Sequence, residues 1–209
     1  MRKLLVALVV LIALAAVADV VARSVAEDRI AARLATELRT TSDPAVDIGG
    51  WPFLYCVARG SIPSIEVSAD GAGKGVLRLS NVTLELEDVT FSPAELASGE
   101  TRAVRVGGGQ GSATLTDRAL TAALQRREES LEARFVGGAL EVSSDVLNGR
   151  AAGDASIDGG ELTVSAADGA ISHTFPLPGI ADGVRYTSVE IGTGSAVLRF
   201  EVEESDLGV

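Results

Sequence analysis

The residue types that carry most enzyme chemistry are sparse in this chain. His173 is its only histidine and Cys56 its only cysteine, so neither a zinc site built from His and Cys ligands nor an internal disulfide can form. No serine lies in the Gly-x-Ser-x-Gly or Ser-x-x-Lys pattern that accompanies an activated nucleophile. The sequence therefore predicts a protein that is not an enzyme and has no metal site and no cofactor.

Paired acids and glycine-rich segments give two further candidates for chemistry. The pairs at 128–129 and 203–204 lie in strongly polar stretches, where solvated surface charge explains them. A hydrolase or transferase stays open only because folding can bring two distant carboxylates together. The glycine-rich segments 71–75 and 107–111 lack the spacing of a Walker or dinucleotide motif, and we interpret both as hairpin loops.

The charge of the chain argues against nucleic acid as a partner. Its 209 residues include 29 acidic and 18 basic side chains, which gives a net charge of −11. Binding to phosphate backbones requires clustered Lys and Arg, because those cations displace the counterions of the polyanion. The sequence predicts no nucleic-acid interface, and it identifies no protein partner.

Two segments place large apolar side chains beside turn-forming residues. Residues 49–55 hold the only tryptophan, and residues 175–189 hold two prolines and a tyrosine, although aromatic residues make up only 4% of the chain. One interpretation is that these side chains close the ends of a sheet. The other is that they line the mouth of an apolar cavity, in which case the candidate lipid-binding residues are Trp51, Phe53, Leu54, Phe175, Leu177, Ile180 and Tyr186.

The first residues have the pattern of a targeting segment. Arg2 and Lys3 precede the uninterrupted apolar run Leu4–Ala18, which ends in a small-x-small sequence that signal peptidase accepts. Cleavage before Asp19 would remove a signal peptide, and retention would leave residues 1–22 as a membrane anchor. Both alternatives predict export to the cell envelope or a periplasm-like space, with residues 23–209 as a single domain.

The elements that position these segments are an amphipathic helix followed by many short strands. Residues 20–38 predict a helix with an apolar stripe at Val21, Val25, Ile30, Leu34 and Leu38. The turn-forming residues 40–44 end it.

The strands are predicted from alternating apolar positions between glycines. A slip of parity at Ser80-Asn81 predicts a bulge, and segments 102–106 and 112–115 are expected to pair through the glycines between them. Thr116-Asp117 opens a helix to about Glu129. Hairpins are predicted over 131–143, 155–164 and 184–202. The sequence predicts an α+β domain with a long antiparallel sheet packed on one or two amphipathic helices.

The two aromatic segments also carry a resemblance to a known family. After the signal or anchor and the helix, a Gly-x-Pro-Phe-Leu element occupies residues 50–54, with Gly60 a few residues later. A Pro-Gly-Ile-x-x-Gly-Val-Arg-x-Thr-Ser-Val element occupies residues 178–189. These elements resemble the actinobacterial LmeA-like phospholipid-binding family, long catalogued as a domain of unknown function. The similarity covers nearly the whole chain, and it departs from the family pattern at Trp51 and at Tyr55-Cys56.

The resemblance implies a non-catalytic envelope protein that binds phospholipid and supports assembly or maintenance of lipids and lipoglycans outside the cytoplasmic membrane. It also implies a fold similar to tubular lipid-binding domains, in which a twisted sheet curls around a helix and leaves an apolar groove. On this interpretation the protein sequesters or transfers phospholipid near a membrane. The competing hypothesis is a membrane-tethered structural or scaffolding module that binds an envelope protein.

The phosphate of a bound lipid would need a cationic partner. The sequence offers Arg59, Arg78 and Arg185 near the two aromatic segments or in the strand region. Each of them is equally explained as a surface charge.

Overall fold

The computed structural model describes residues 2–38, 42–72, 77–98, 103–144, 149–179 and 183–208. Its helices are α1 (Arg2–Leu38), α2 (Phe53–Arg59), α3 (Pro93–Ser98) and α4 (Asp117–Gln125). Its strands are β1 (Ala45–Ile48), β2 (Ser61–Ala72), β3 (Leu79–Phe91), β4 (Ala103–Val106), β5 (Gly108–Thr116), β6 (Glu132–Val136), β7 (Ala139–Ser144), β8 (Gly149–Asp158), β9 (Glu161–Ala166), β10 (Ile171–Pro176), β11 (Val184–Ile191), β12 (Ser195–Val202) and β13 (Ser205–Gly208).

The strands form two antiparallel sheets. The larger sheet runs β1-β2-β3-β5-β12-β11, with β4 pairing with both β3 and β13. The smaller sheet runs β10-β9-β8-β7-β6. The predicted α+β class is confirmed, with antiparallel strands and an N-terminal helix that packs against the sheet. The strands are divided between two sheets, however, so the sheet is not continuous.

The three hairpins predicted in the second half of the chain are confirmed. They are β6–β7, β8–β9 and β11–β12, each an antiparallel pair with continuous or nearly continuous register. Gly137 and Gly138 have φ angles of 58° and 85°, and Gly159 and Gly160 have φ angles of 55° and 82°. Positive φ at both central residues is what a two-residue turn needs to match the twist of its strands, and glycine adopts it without strain.

Apolar side chains from both sheets and from α4 meet in one cluster, which we call the intersheet core. Its largest fully buried members are Phe135, Phe175, Phe200, Leu77, Leu115, Leu120, Leu124, Leu131, Leu140, Leu162 and Leu198. The alternation predicted for β12 is confirmed, because Ala196, Leu198, Phe200 and Val202 are all buried. Burial of these side chains between the sheets is the main apolar contribution to stability.

A second, smaller cluster joins α1 to the larger sheet, and we call it the helix-side core. Its buried members are Ile48, Phe53, Ile62, Val89 and Val106. The helix contributes Ala22, Ala26 and Ile30 to it. The predicted stripe was wrong at Val21 and Val25, which are 56% and 42% exposed. Alanines give a flatter surface than valines and let the helix backbone approach its neighbours closely. The face of α1 that packs on the sheet is therefore rotated from the predicted valine stripe to Ala22 and Ala26.

The prediction of a hairpin through residues 107–111 was also wrong. Residues 108–111 lie inside β5, which pairs with β3 and β12, whereas β4 pairs with β3 and β13. A Cβ on Gly111 would collide with the ring of Phe200 and with the backbone oxygen of Thr83. Glycine occurs here because a neighbouring ring occupies the space of its missing side chain, and no turn is involved.

Two local predictions were made at the correct positions. The pairing of β3 with β5 shifts register between Ser80 and Thr83, where Asn81 has a φ of 45°, so the predicted bulge is confirmed. Thr116 caps α4 by accepting a hydrogen bond from the backbone N–H of Ala119. The helix ends at Gln125, earlier than the predicted end near Glu129.

Candidate functional site

The first aromatic segment forms a short helix with one buried and one exposed face. Phe53 is buried in the helix-side core, and Cys56 and Val57 are half-buried against it. On the other face, Leu54 is 45% and Tyr55 58% exposed. Trp51, which precedes α2, is 79% exposed. The structure therefore places Phe53 in the protein interior and leaves Trp51 and Leu54 on the surface.

The start of α2 is capped by a residue of another helix. Pro52 occupies the N-cap position and makes no side-chain capping bond. The carboxylate of Asp19 in α1 instead accepts hydrogen bonds from the backbone N–H groups of Phe53 at 2.9 Å and Leu54 at 2.7 Å. These are among the first N–H groups of the helix, which have no intrahelical partner, and the negative charge suits the positive end of the helix dipole.

The sequence analysis missed the structural contact of Asp19. It considered this residue only as the position after a cleavage site, yet Asp19 is 5% exposed and joins α1 to α2. A lone carboxylate inside a long apolar helix is costly unless it has a partner. That cost is the signal in the sequence that predicts a specific role for this position.

A second polar contact fixes α1 on the larger sheet. Glu27 accepts hydrogen bonds from the guanidinium of Arg23 at 2.8 Å and from the backbone N–H of Ile48 in β1 at 3.0 Å. Arg23 also donates to Asp47 at 2.8 Å. The helix and the first strand are thus joined by two hydrogen bonds, at Arg23 and Glu27, which lie about one and two turns beyond Asp19.

Replacing Glu27 with glutamine is expected to weaken the dependence of stability on acid pH. Burial opposes ionisation of Glu27, but the hydrogen bonds from Arg23 and the N–H of Ile48 outweigh it and hold its pKa below the ordinary value of 4.5. A lowered pKa in the folded state gives stability that is present above pH 4.5 and is lost as the pH falls through the lowered value.

The measurement is the urea midpoint of unfolding as a function of pH for the wild type and Glu27→Gln. Below pH 4.5, the ordinary pKa of this carboxyl group, the urea midpoint of the wild type should fall more steeply than that of Glu27→Gln. Glu129→Gln, at an exposed position, is the matched control and should follow the wild type. Parallel curves for wild type and Glu27→Gln would contradict the assigned contact.

The second aromatic segment lies at the edges of both sheets. Phe175 is buried in β10, and Leu177 follows it, 9% exposed, with its backbone N–H donating to the carbonyl of Gly160 at 2.9 Å. Tyr186 in β11 is buried, and its hydroxyl donates to the carbonyl of Pro178 at 2.8 Å. Burial raises the pKa of Tyr186, so the phenol remains a neutral donor. Ile180 lies outside the described residues.

The position of this segment follows from the strand order. β10 is an edge strand of the smaller sheet and β11 is an edge strand of the larger one. Residues 177–179 directly follow β10, and the hydrogen bond from Tyr186 to Pro178 joins them to β11 of the larger sheet. Tyr186 also packs edge-to-face on Phe200, with 5.5 Å between ring centroids.

The structure divides the predicted lipid-binding residues between two clusters. Phe53 belongs to the helix-side core, whereas Phe175, Leu177 and Tyr186 belong to the intersheet core. Three partly buried residues pack against both clusters, and these are Val46, Ile65 and Leu86. The two apolar regions are therefore continuous along the larger sheet, although the two aromatic segments do not share one cluster.

Three open clefts on the surface, with volumes of about 430, 440 and 400 Å³, are lined mostly by polar and charged residues. The first lies beside α4 and β6, the second crosses the larger sheet, and the third adjoins β7 and β8. None of these three clefts is lined by the predicted lipid-binding residues. Their walls suit water or polar ligands better than acyl chains.

The candidate cations for a lipid phosphate have different surroundings. Arg185 forms exposed ion pairs with Glu203 at 3.1 Å and Glu201 at 3.8 Å. The guanidinium of Arg59 lies 5.6 Å from the ring centroid of Tyr55, within the range of a cation–π contact. Arg78 is exposed.

The N-terminal half of α1 has the length and composition of a membrane-crossing helix. The segment Val6–Thr36 is long and apolar enough to span a bilayer, and only 6% of its most apolar window is buried in the protein. Every residue from Val6 to Ala18 is exposed, and burial begins at Asp19. This pattern is compatible with a signal sequence or a membrane anchor.

Comparison with known proteins identifies the family. No curated protein matches the chain, and no solved structure matches it. A family model described as LmeA-like phospholipid-binding matches residues 17–204, which include Asp19, both aromatic segments and every strand except β13. This match covers most of the 209 residues and confirms the resemblance carried by the two sequence elements. The chain belongs to the LmeA-like phospholipid-binding family.

Proposed function

We propose that this protein binds phospholipid without catalysis in the cell envelope, where it sequesters or transfers lipid and so supports assembly of envelope lipid or lipoglycan. Residues 1–22 would act as a signal peptide or anchor, and residues 23–209 as a single lipid-binding domain. The observation that carries the proposal is the end of β10, where Leu177 belongs to the intersheet core and Pro178 accepts a hydrogen bond from Tyr186 of the edge strand β11. Membership of a phospholipid-binding family supports it.

The acyl chains would enter between the two sheets beneath Leu177 and Pro178. Opening this edge breaks the hydrogen bond from Tyr186 to Pro178, whose net contribution is about 0.5–1.5 kcal/mol. Each methylene moved from water into an apolar environment contributes about 0.8 kcal/mol. Two buried methylenes therefore offset the hydrogen bond, and the rest of an acyl chain drives displacement of the packed side chains.

The headgroup would remain outside the sheets, within reach of Arg185. This residue directly precedes Tyr186 in β11, and its ion pairs with Glu201 and Glu203 are exposed to water. Exposed ion pairs contribute only about 0–1 kcal/mol. A phosphate can therefore displace either carboxylate at small cost.

The test is native mass spectrometry with lipid extraction on the full chain produced in an exported form. We expect near-stoichiometric phospholipid, lowered occupancy in Leu177→Gln, and unchanged occupancy in Leu96→Gln. Leu96 is the matched control because it is 46% exposed on α3 and does not belong to either core. The amount of lipid held around α1 would be equal in Leu177→Gln and Leu96→Gln. The difference in phospholipid occupancy between these variants therefore measures lipid bound by the domain alone.

Tyr186→Phe provides a second variant that retains the buried ring. It removes the bond to Pro178, so uptake of added phospholipid should become faster while thermal unfolding shows that the fold is retained. A lipid-free protein that also fails to take up added phospholipid would overturn the proposal. Equal occupancy in folded Leu177→Gln and Leu96→Gln would overturn the assigned entrance.

A further inference from the structure

We infer that the exposed face of α2, with Trp51 at its start, is a membrane-docking surface that lies in the interfacial region of the bilayer from which α1 emerges. This inference goes beyond the cargo proposal and rests only on the anchor alternative of the proposed function, because docking requires α1 to be retained in a bilayer but requires no bound cargo. It assigns Trp51 and Leu54 to the membrane surface, outside the cavity in which the sequence analysis placed them.

The first step is the concentration of exposed apolar side chains. Outside α1, the described residues include five large apolar side chains that are exposed, and three of them are Trp51, Leu54 and Tyr55. Phe53 of α2 is buried in the helix-side core, which orients the helix with Leu54 and Tyr55 outward, and Trp51 is exposed just before it. Tryptophan and tyrosine are enriched at membrane interfaces, where an apolar ring and a polar group are both accommodated.

The second step is the distance along α1. A bilayer has a hydrocarbon thickness of about 30 Å, and at about 1.5 Å per residue the segment from Leu4 to Val21, which is apolar except for Asp19, spans only about 27 Å. Burying this segment therefore brings the edge of the hydrocarbon to the level of Asp19 and Val21. The bonds from Phe53 and Leu54 to Asp19 hold the start of α2 at that same level.

The third step is charge. A carboxylate near the hydrocarbon is costly unless it is hydrogen-bonded, and Asp19 is 5% exposed with two backbone donors. The bilayer can therefore reach this level without meeting a free negative charge. The protein carries a net charge of −11, yet α2 contains no acidic residue and ends in Arg59. An arginine stacked on Tyr55 suits an anionic headgroup, which favours a lipid surface as the occupant.

The experiment uses Trp51 as the only tryptophan of the chain. The full chain is reconstituted in phosphatidylcholine–phosphatidylglycerol vesicles. One sample contains lipids that carry a quencher near the headgroup end of the acyl chain, and a second sample has iodide on both sides of the membrane. We expect quenching of Trp51 by the lipid quencher and protection from iodide. The control is Val136→Trp in a Trp51→Phe background, because Val136 is 47% exposed on the smaller sheet, and it should show the opposite result.

Leu54→Asn provides the matched loss of function, since it removes one exposed apolar side chain and keeps Phe53 buried. Lipid quenching of Trp51 should decrease, while phospholipid occupancy in native mass spectrometry stays unchanged. Trp51 that is quenched by iodide and insensitive to the lipid quencher would overturn membrane docking. The same result is expected if a partner protein is the natural occupant of α2, because the vesicles contain no such protein. A wild-type protein that carries and takes up no phospholipid, while Trp51 is still quenched by the lipid quencher, would instead overturn only the cargo proposal. Loss of bound lipid in Leu54→Asn with quenching of Trp51 retained would overturn the assignment of Leu54 to the docking surface.

Discussion

Phe200→Ala is expected to lower the free energy of unfolding by about 3–5 kcal/mol, the range measured for aromatic residues truncated in protein cores. Phe200 is 1% exposed, and its ring fills the space above Gly111 in the neighbouring strand. Alanine cannot fill this space, and glycine on the adjacent strand offers no side chain that could move into it. The edge-to-face contact with Tyr186 is lost as well.

Urea unfolding followed by circular dichroism measures this effect. Tyr55→Ala is the control for loss of an aromatic ring, since Tyr55 is 58% exposed and its removal should change stability by no more than about 0.5 kcal/mol. A loss of less than about 1 kcal/mol in Phe200→Ala would mean that the intersheet core can collapse around the gap, contrary to the close packing described for it.

Asp19→Ala is expected to lower the free energy of unfolding by about 1–3 kcal/mol, because it leaves two N–H groups at the start of α2 without their acceptor. The same change removes the link that holds α2 beside α1. Lipid quenching of Trp51 in vesicles should therefore decrease together with stability. Asp19→Asn keeps one carbonyl acceptor and should lie between alanine and the wild type.

Asp28→Ala is the matched control on the same helix, because Asp28 is exposed. It should leave both the unfolding midpoint and the fluorescence of Trp51 unchanged. If Asp19→Ala behaves like Asp28→Ala in both measurements, then the contact between Asp19 and α2 does not position the aromatic surface.

Local signals in the sequence predicted most of the secondary structure of the second half of the chain. In β12 every second residue is apolar, and the Gly-Gly pairs at 137–138 and 159–160 supply the positive φ angles that tight turns require. These features depend on residues close together in sequence. The prediction for residues 107–111 failed because glycine also occurs where a distant side chain needs space, and Phe200 lies far along the chain.

The candidate site was predicted less completely, for two physical reasons. In α1 each exposed valine is a sequence neighbour of a packed alanine, so hydrophobicity alone could not show that alanines would pack on the sheet while Val21 and Val25 stayed exposed. The partners of Asp19 lie 34 and 35 residues away, in a segment whose own pattern predicts only an aromatic turn. The aromatic segments themselves were found, but their assignment to two different cores depends on long-range packing.

The unbroken helix α1 has a mechanical consequence. It runs from Arg2 to Leu38, about 55 Å at about 1.5 Å per residue, without an interruption between its exposed apolar half and its packed half. If the apolar half is retained and spans a membrane, no flexible tether joins it to the domain, and the domain must tilt and rotate together with the membrane-spanning half of the helix. Such a protein would reach other molecules by lateral diffusion in the plane of its own membrane, and its height above that membrane would be fixed by the helix.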